Sequence, residues 1–191
     1  MSISSLIDHL QSKVSLSALE EEHIKYAFEE FQLHKKQRLL SAGDHSRYAY
    51  FITKGCMRSF FIDEKGVEHV SQLAFENHWI SDLHGFLTSS SATHFIDSIE
   101  ASTILRISLD RLEKLYLDVP AMERYFRQLF QSAYVATARR LDKSLTETAD
   151  IRYAKLIKEQ PDIAQRVPLI HIASYLGITP ESLSRIRKVN R

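Results

Sequence analysis

Glycine and proline are spread so unevenly along these 191 residues that they divide the chain before any other property is weighed. Gly43, Gly55, Gly66 and Gly85 fall between residues 43 and 85, and the first proline is Pro120. Glycine turns a chain tightly, and a stretch without proline can donate to a strand ladder throughout. The glycine-bearing region is built of alternating, strand-forming runs: RYAYFITKG, CMRSFFIDEKG, VEHVSQLAF, HFIDSIEAS and TILRIS. Broken by AGD, TKG and DEKG, these predict a meander of short antiparallel strands. Roughly eight such pieces between residues 31 and 108 predict a barrel or jelly roll rather than a flat sheet. Ahead of them, residues 3–12 and 16–28 predict two short helices.

From Pro120 onward the pattern is helical. Prolines at 120, 168 and 180 fit first-turn positions, and Pro161 fits a connector. Pro120 opens a run to about Thr146 in which Met122, Phe126, Leu129, Ala133, Ala136 and Arg140 follow a 4-3-4-3-4 spacing, the seam of a coiled coil. Phe130, Tyr134 and Leu141 give the same helix a second apolar face. Two faces call for two neighbours, namely the chain's own β-domain and the same helix of a second copy. A helix lying wholly on its own barrel satisfies the periodicity as well. A further helical stretch is expected around Ile151–Glu159.

Composition sets outer limits. The chain is 44% apolar and 10% aromatic, ample for a globular core. No run approaches the roughly eighteen apolar residues of a membrane span, and the opening MSISSLIDHLQSK lacks the basic and apolar regions of a signal peptide. A cytoplasmic protein with no membrane partner is the expectation. The single cysteine, Cys56, excludes an intramolecular disulfide and a multi-cysteine metal site, and is expected to be a small buried hydrophobe. The net charge is only +1, yet residues 166–191 carry Arg166, Arg185, Arg187, Lys188 and Arg191 against Glu181 alone. A basic end on a near-neutral body suggests an anionic partner there.

That end carries the most specific pattern in the chain, IASYLGITPESLSRIRK. Ile172, Ala173 and Leu176 stripe one short helix. Gly177 follows where the backbone leaves it, and Ile178 turns inward. Thr179 is placed as an N-cap, Pro180 as a first helical residue, and Leu183 and Ile186 face back at a spacing of three. Small Ala173 lets the two helices cross closely, so the segment reads as a helix-turn-helix or, structurally, as an αα corner. The outward face of the second helix favours DNA over the structural corner. Glu181, Ser182 and Arg185 stand where a recognition helix meets base edges, with arginine suited to guanine and glutamate to a cytosine amine. His171, Thr179, Arg187, Lys188 and Arg191 are placed for phosphates.

Taken together, a β-roll, a long helix and this helix-turn-helix resemble the catabolite-activator (cyclic-AMP receptor) and fumarate–nitrate regulator superfamily of transcription regulators over nearly the whole chain. The resemblance implies an α+β fold. It comprises an antiparallel, jelly-roll-like β-roll of the cyclic-nucleotide-binding type with N-terminal helices (1–119), a dimerisation helix (120–146) and a helix-turn-helix domain (147–191). It implies a homodimer on double-stranded DNA, bound to a pseudo-palindromic operator through helix 179–189, with RNA polymerase as a further candidate partner. Many members carry an arginine where this chain has Pro180, so one base contact is expected to differ. Many also continue into a β-wing, which this sequence, ending at Arg191, does not include.

Cyclic-nucleotide members of that superfamily hold the ligand with a cassette resembling Gly-Glu, then after a loop Arg-Ser/Thr, the arginine neutralising the phosphate and the glutamate meeting the ribose. Counted back from TILRIS, the corresponding residues are Ser81, Asp82, Ala92 and Thr93. Ala92 supplies no charge, so an anionic ligand is expected to bind poorly there. Arg47 or Arg58 is the alternative source of that charge. The effector pocket is thus expected to be degenerate, cyclic AMP is not the expected effector, and no small molecule is named by the residues.

Other chemistries find little support. His69, His78, His84 and His94 crowd the β-region, but neither a His-x-His pair followed by Glu nor His-Glu-x-x-His is present. No metal, cofactor or enzymatic activity is therefore expected, and a cupin-like metal enzyme is the weakest alternative. The other alternative is a small-molecule-binding roll with a purely structural tail.

Overall fold

The computed structural model describes residues 2–189. Two helices open the chain, α1 (Ser2–Gln11) and α2 (Ala18–Ala27). α1 buries Leu6, Ile7 and Leu10, one face at helical spacing. α2 starts on a capping box: Ser17 N–H donates to Glu20 Oε2 at 2.8 Å, and Glu20 N–H donates back to Ser17 Oγ at 3.4 Å.

Strands β1 (Glu29–Leu33), β2 (Arg38–Leu40), β3 (Tyr48–Lys54), β4 (Met57–Ile62), β5 (Glu68–Ala74), β6 (Trp79–Ile80), β7 (Phe95–Ser98) and β8 (Ser102–Ser108) form the roll expected from the sequence. They make two four-stranded antiparallel sheets, ordered β1-β8-β3-β6 and β2-β7-β4-β5. Tyr50, Ile52, Met57, Ile80, Ile96 and Ile104 fill the space between the sheets. Gly55 makes the β3–β4 turn at φ +105°, where a Cβ would lie 2.2 Å from Ser102 Oγ, so both backbone angle and space require glycine.

Burial in the strands is double-sided, and the reason lies outside the roll. Tyr50 and Ile52 face the interior, while their neighbours Ala49 and Phe51 face a second cluster formed with α1, α2, α3 (Leu83–Thr88), α4 (Leu109–Asp118) and the start of α5 (Pro120–Thr146). The outer face of the other sheet is covered as well. Cys56, Phe60, Val70 and Phe75 pack against Ile163, Val167, Ile172 and Ala173 from the C-terminal helices. Helices, sheet, sheet and C-terminal head are thus stacked in that order. Burial pushes the Cys56 thiol up to about 12, consistent with a small hydrophobe.

α5 has 27 residues, about 40 Å of helix. Its first turns belong to the roll. Tyr125 Oη accepts from Trp79 Nε1 at 2.8 Å, and the Phe126 and Trp79 ring centroids lie 4.9 Å apart. No helix of the described residues is long and apolar enough to cross a membrane.

Candidate nucleic-acid interface

The C-terminal head comprises α6 (Ala149–Glu159), α7 (Asp162–Arg166), α8 (Leu169–Leu176) and α9 (Pro180–Val189). Pro168 precedes α8 in extended conformation, one position earlier than a first-turn proline, and Pro180 is the first residue of α9. α8 ends at Gly177, φ +68° and ψ 33°. Gly177 N–H donates to Ser174 O and Ile178 N–H to Ala173 O, both at 3.0 Å. This Schellman pair closes the turn and points Ile178 into the core. The Thr179 hydroxyl then accepts from Ser182 N–H at 3.2 Å and caps α9. Ile172, Ala173, Leu176 and Leu183 are buried together with Tyr153, which holds α8 and α9 at a close crossing.

With Leu183 fully buried, the opposite face of α9 is presented outward: Glu181, Ser184, Arg185 and Lys188 are exposed. Arg185 Nη2 donates to Ser182 Oγ at 3.2 Å, and that hydroxyl also receives Thr179 Oγ1–H at 3.2 Å. The Glu181 carboxyl is held below its ordinary value by backbone and Thr179 hydrogen bonds and by the Arg185 charge. The first turns of α9 therefore present an ionised carboxylate beside a guanidinium whose position a hydroxyl chain biases. One acceptor and one bidentate donor are the groups that distinguish base edges in a major groove.

The residues placed for phosphates divide three ways. Lys188 is exposed and Arg187 half-exposed on α9, and Thr179 is exposed although its hydroxyl serves as the cap. Arg191 lies outside the described residues. His171 does not face outward: its Nδ1 accepts from Arg58 Nη1 at 2.9 Å, and it is half-buried against the roll. The reason is that α8, not α9, is the helix seated on the second sheet.

The cassette residues are also differently used. Asp82 is 3% exposed and spends its carboxylate within the chain. It accepts from Gly85 N–H at 2.8 Å, Thr93 N–H at 2.7 Å, His94 N–H at 2.9 Å and Thr93 Oγ1 at 3.1 Å. Neither Asp82 nor Thr93 is thus poised toward a sugar or phosphate; they pin a loop. Ala92 is buried in the core between the sheets, with Ser81 beside Asp82 at the end of β6. Arg58, the alternative source of charge, lies on the outer face of β4, bound to Asp97 and Glu68.

Along α5 the seam divides. Met122 and Phe126 are buried in the chain's own core, which removes them from any contact with a second copy, and Leu129 is partly buried there. Ala133 and Ala136 are exposed, as are Tyr134 at 76%, Leu141 at 60% and Leu145 at 77%. Among the described residues no group of three or more His, Cys, Asp or Glu side chains is placed to hold a metal ion. His69 is bonded to Asp63 at 2.8 Å and His78 to the Glu76 carbonyl at 3.0 Å.

The candidate interface is thus an exposed basic helix on a head that a long helix joins to a β-roll. No protein-family model matches the chain. Among curated proteins it is similar to the fumarate and nitrate reduction regulatory protein of Yersinia pestis, 27% identical over 167 residues, which span 81% of this chain and 65% of that protein. The protein of the same description from Escherichia coli (strain K12) is 26% identical over the same shares. The matched part thus spans about two thirds of the length of these relatives. Three solved structures show the same fold. FixK2 from Bradyrhizobium japonicum has a TM-score of 0.72 and 18% identity, covering 84% of this chain and 83% of its own. The c-di-GMP responsive global regulator CLP of Xanthomonas campestris has a TM-score of 0.73 and 16% identity, covering 90% of each chain. The catabolite activator protein of Thermus thermophilus has a TM-score of 0.61 and 16% identity, covering 95% of this chain and 85% of its own. The chain is thus similar in sequence to fumarate and nitrate reduction regulatory proteins and shares the fold of these three solved structures.

Proposed function

We propose that this protein is a homodimeric DNA-binding transcription regulator that reads a pseudo-palindromic site through α9. The observation that carries the proposal is the pairing of Glu181 and Arg185 on the exposed face of a capped helix whose inner face is anchored by Leu183. Glu181, Ser182 and Arg185 meet base edges; Thr179, Arg187, Lys188 and Arg191 meet phosphates. The bare part of α5, with Ala133, Ala136, Tyr134 and Leu141, pairs with its copy and sets two heads about one DNA turn apart. A shallow groove of about 360 Å³, lined by Tyr116, Phe126 and Phe130 beside that segment, leaves room for the partner to pack.

The β-roll does not take a cyclic nucleotide in the usual way, because Ala92 carries no charge and Asp82 is saturated by its own loop. The test is selection of the purified protein against a random duplex pool, with and without cyclic AMP. Enrichment of a palindromic motif, indifferent to the nucleotide and lost in Arg185→Ala, is the expected result. A motif that survives in Arg185→Ala removes α9 as the reader, and one that needs cyclic AMP removes the reading of the roll.

A further inference from the structure

Between the head and the roll lies a polar cluster that DNA reading does not use. Arg58, 6% exposed on β4, donates through Nε and Nη2 to both carboxylate oxygens of Asp97 on β7, at 2.8 and 3.0 Å. Its Nη1 donates to Glu68 Oε2 on β5 at 2.5 Å and to His171 Nδ1 on α8 at 2.9 Å. A guanidinium has donors only, so His171 enters this bond with Nδ1 bare and its proton on Nε2. One turn further along α8, Ser174 Oγ accepts from Val70 N–H at 2.9 Å and donates to Glu68 O at 2.7 Å. Two residues on one face of α8 thus hold the helix to β5 and its neighbours.

We propose that the Arg58–His171 bond is a proton-operated latch, and that protonation of His171 lifts α8 from β5 and frees the head to turn against the roll. A proton on Nδ1 removes the acceptor and sets an imidazolium against a guanidinium at hydrogen-bond distance. The charged groups facing His171 are Arg58 from β4, Asp97 from β7, Glu68 from β5 and Lys36 from the β1–β2 turn. Both carboxylates are already engaged by Arg58, and Arg38 lies 3.8 Å from Asp97. Burial first, then the Arg58 charge, with a smaller push from Lys36, hold the imidazole below its ordinary 6.5, against the pull of Asp97 and Glu68. The docked state therefore binds the proton less well than the free head. Docking has full strength above about pH 6.5 and weakens as pH falls toward the lowered value.

The other end of the interface does not titrate in that window. Arg166 on α7 donates to both oxygens of Glu76 at 2.8 Å, and this pairing holds the Glu76 carboxyl at about 2. A head released at His171 stays tethered at Arg166 and pivots there.

The test is amide hydrogen exchange of the full chain followed by NMR from pH 8 to pH 5, corrected to protection factors. Val70 N–H is bonded across the interface, so its protection reports docking, and Leu105 N–H in the central strand β8 is the control. Expected is a loss of Val70 protection of up to about tenfold per pH unit below about pH 6.5, with Leu105 unchanged. In His171→Gln the Val70 protection stays level across the window. Level protection in the unmodified protein, or an equal fall in the variant, overturns the latch. Should His171→Gln not fold, titration of the His171 ring in the unmodified protein decides, and a midpoint at or above 6.5 overturns it. None of these readouts involves DNA, so the latch and the reading of DNA succeed or fail separately.

Discussion

Arg166 grips Glu76 with both terminal nitrogens at 2.8 Å, and Glu76 Oε1 also accepts Gly55 N–H at 2.7 Å. One carboxylate thereby ties the head to the turn between β3 and β4. Glu100 accepts from the same guanidinium through Nε at 3.1 Å. Glu76 ionises at about 2 rather than its ordinary 4.5, so its contribution is complete above about pH 4.5 and is lost as pH falls through about 2. Because the pair is about one-third exposed, screening reduces its worth to about 1–2 kcal/mol. Arg166→Ala is expected to lower stability by that amount at pH 7, with the gap narrowing steadily between pH 5 and pH 2 in urea melts. A gap independent of pH would assign the loss to packing over the Phe75 ring, 5.1 Å from the guanidinium carbon.

At the DNA, Arg185 and Lys188 have different expected signatures. Arg185→Ala should cost about 1–3 kcal/mol on the best site and relax preference at the matching base pair. Lys188→Ala should weaken all sequences alike and lower the salt slope by about one. Titrations at several salt concentrations on the selected site and a scrambled one separate the two. Altered base preference in Lys188→Ala would move that side chain from phosphate to base.

In the roll, Asp82 is expected to matter for folding and not for ligand. Asp82→Ala leaves the Gly85, Thr93 and His94 amides without their acceptor, a loss of about 2–3 kcal/mol, while cyclic AMP at millimolar concentration leaves Tm unchanged in either protein. A Tm that rises with nucleotide in the unmodified chain, and not in Asp82→Ala, would return Asp82 to the pocket.

On α5 the buried first turns and the exposed later turns should respond oppositely. Leu141→Glu, at an exposed position, is expected to shift sedimentation toward monomer with little change in the unfolding of each chain. Phe126→Ala should cost about 3–5 kcal/mol of chain stability, because its ring is packed on Trp79, Tyr116 and Tyr125. Sedimentation unaffected by Leu141→Glu would place the dimer contact elsewhere.

Local chemistry made much of this architecture legible in the sequence. Gly177, Thr179 and Pro180 determine their turn within a few residues, and Pro120 marks the first turn of α5 as observed. The alternating strands were readable for the same reason. What periodicity leaves open is which neighbour an apolar face meets: Met122 and Ala133 obey one spacing, yet one faces the roll and the other solvent. α4 leaves little mark in the sequence although Ser108 caps it, because its stripe of Leu112 and Leu115 is short. Helix position alone places His171 toward phosphate. Its true neighbour, Arg58, is 113 residues away, and no local pattern marks a bond that the stacking of head on sheet creates.

The Ser174 hydroxyl bridging Val70 and Glu68 has one more implication. β5 is the last strand of its sheet, and an uncovered last strand invites pairing with another chain. By occupying two of its backbone groups, α8 acts as a guard against strand-to-strand aggregation. A head held off the roll for long would leave a sticky margin open, so the same surface that orients the head also keeps the protein from associating through its sheets.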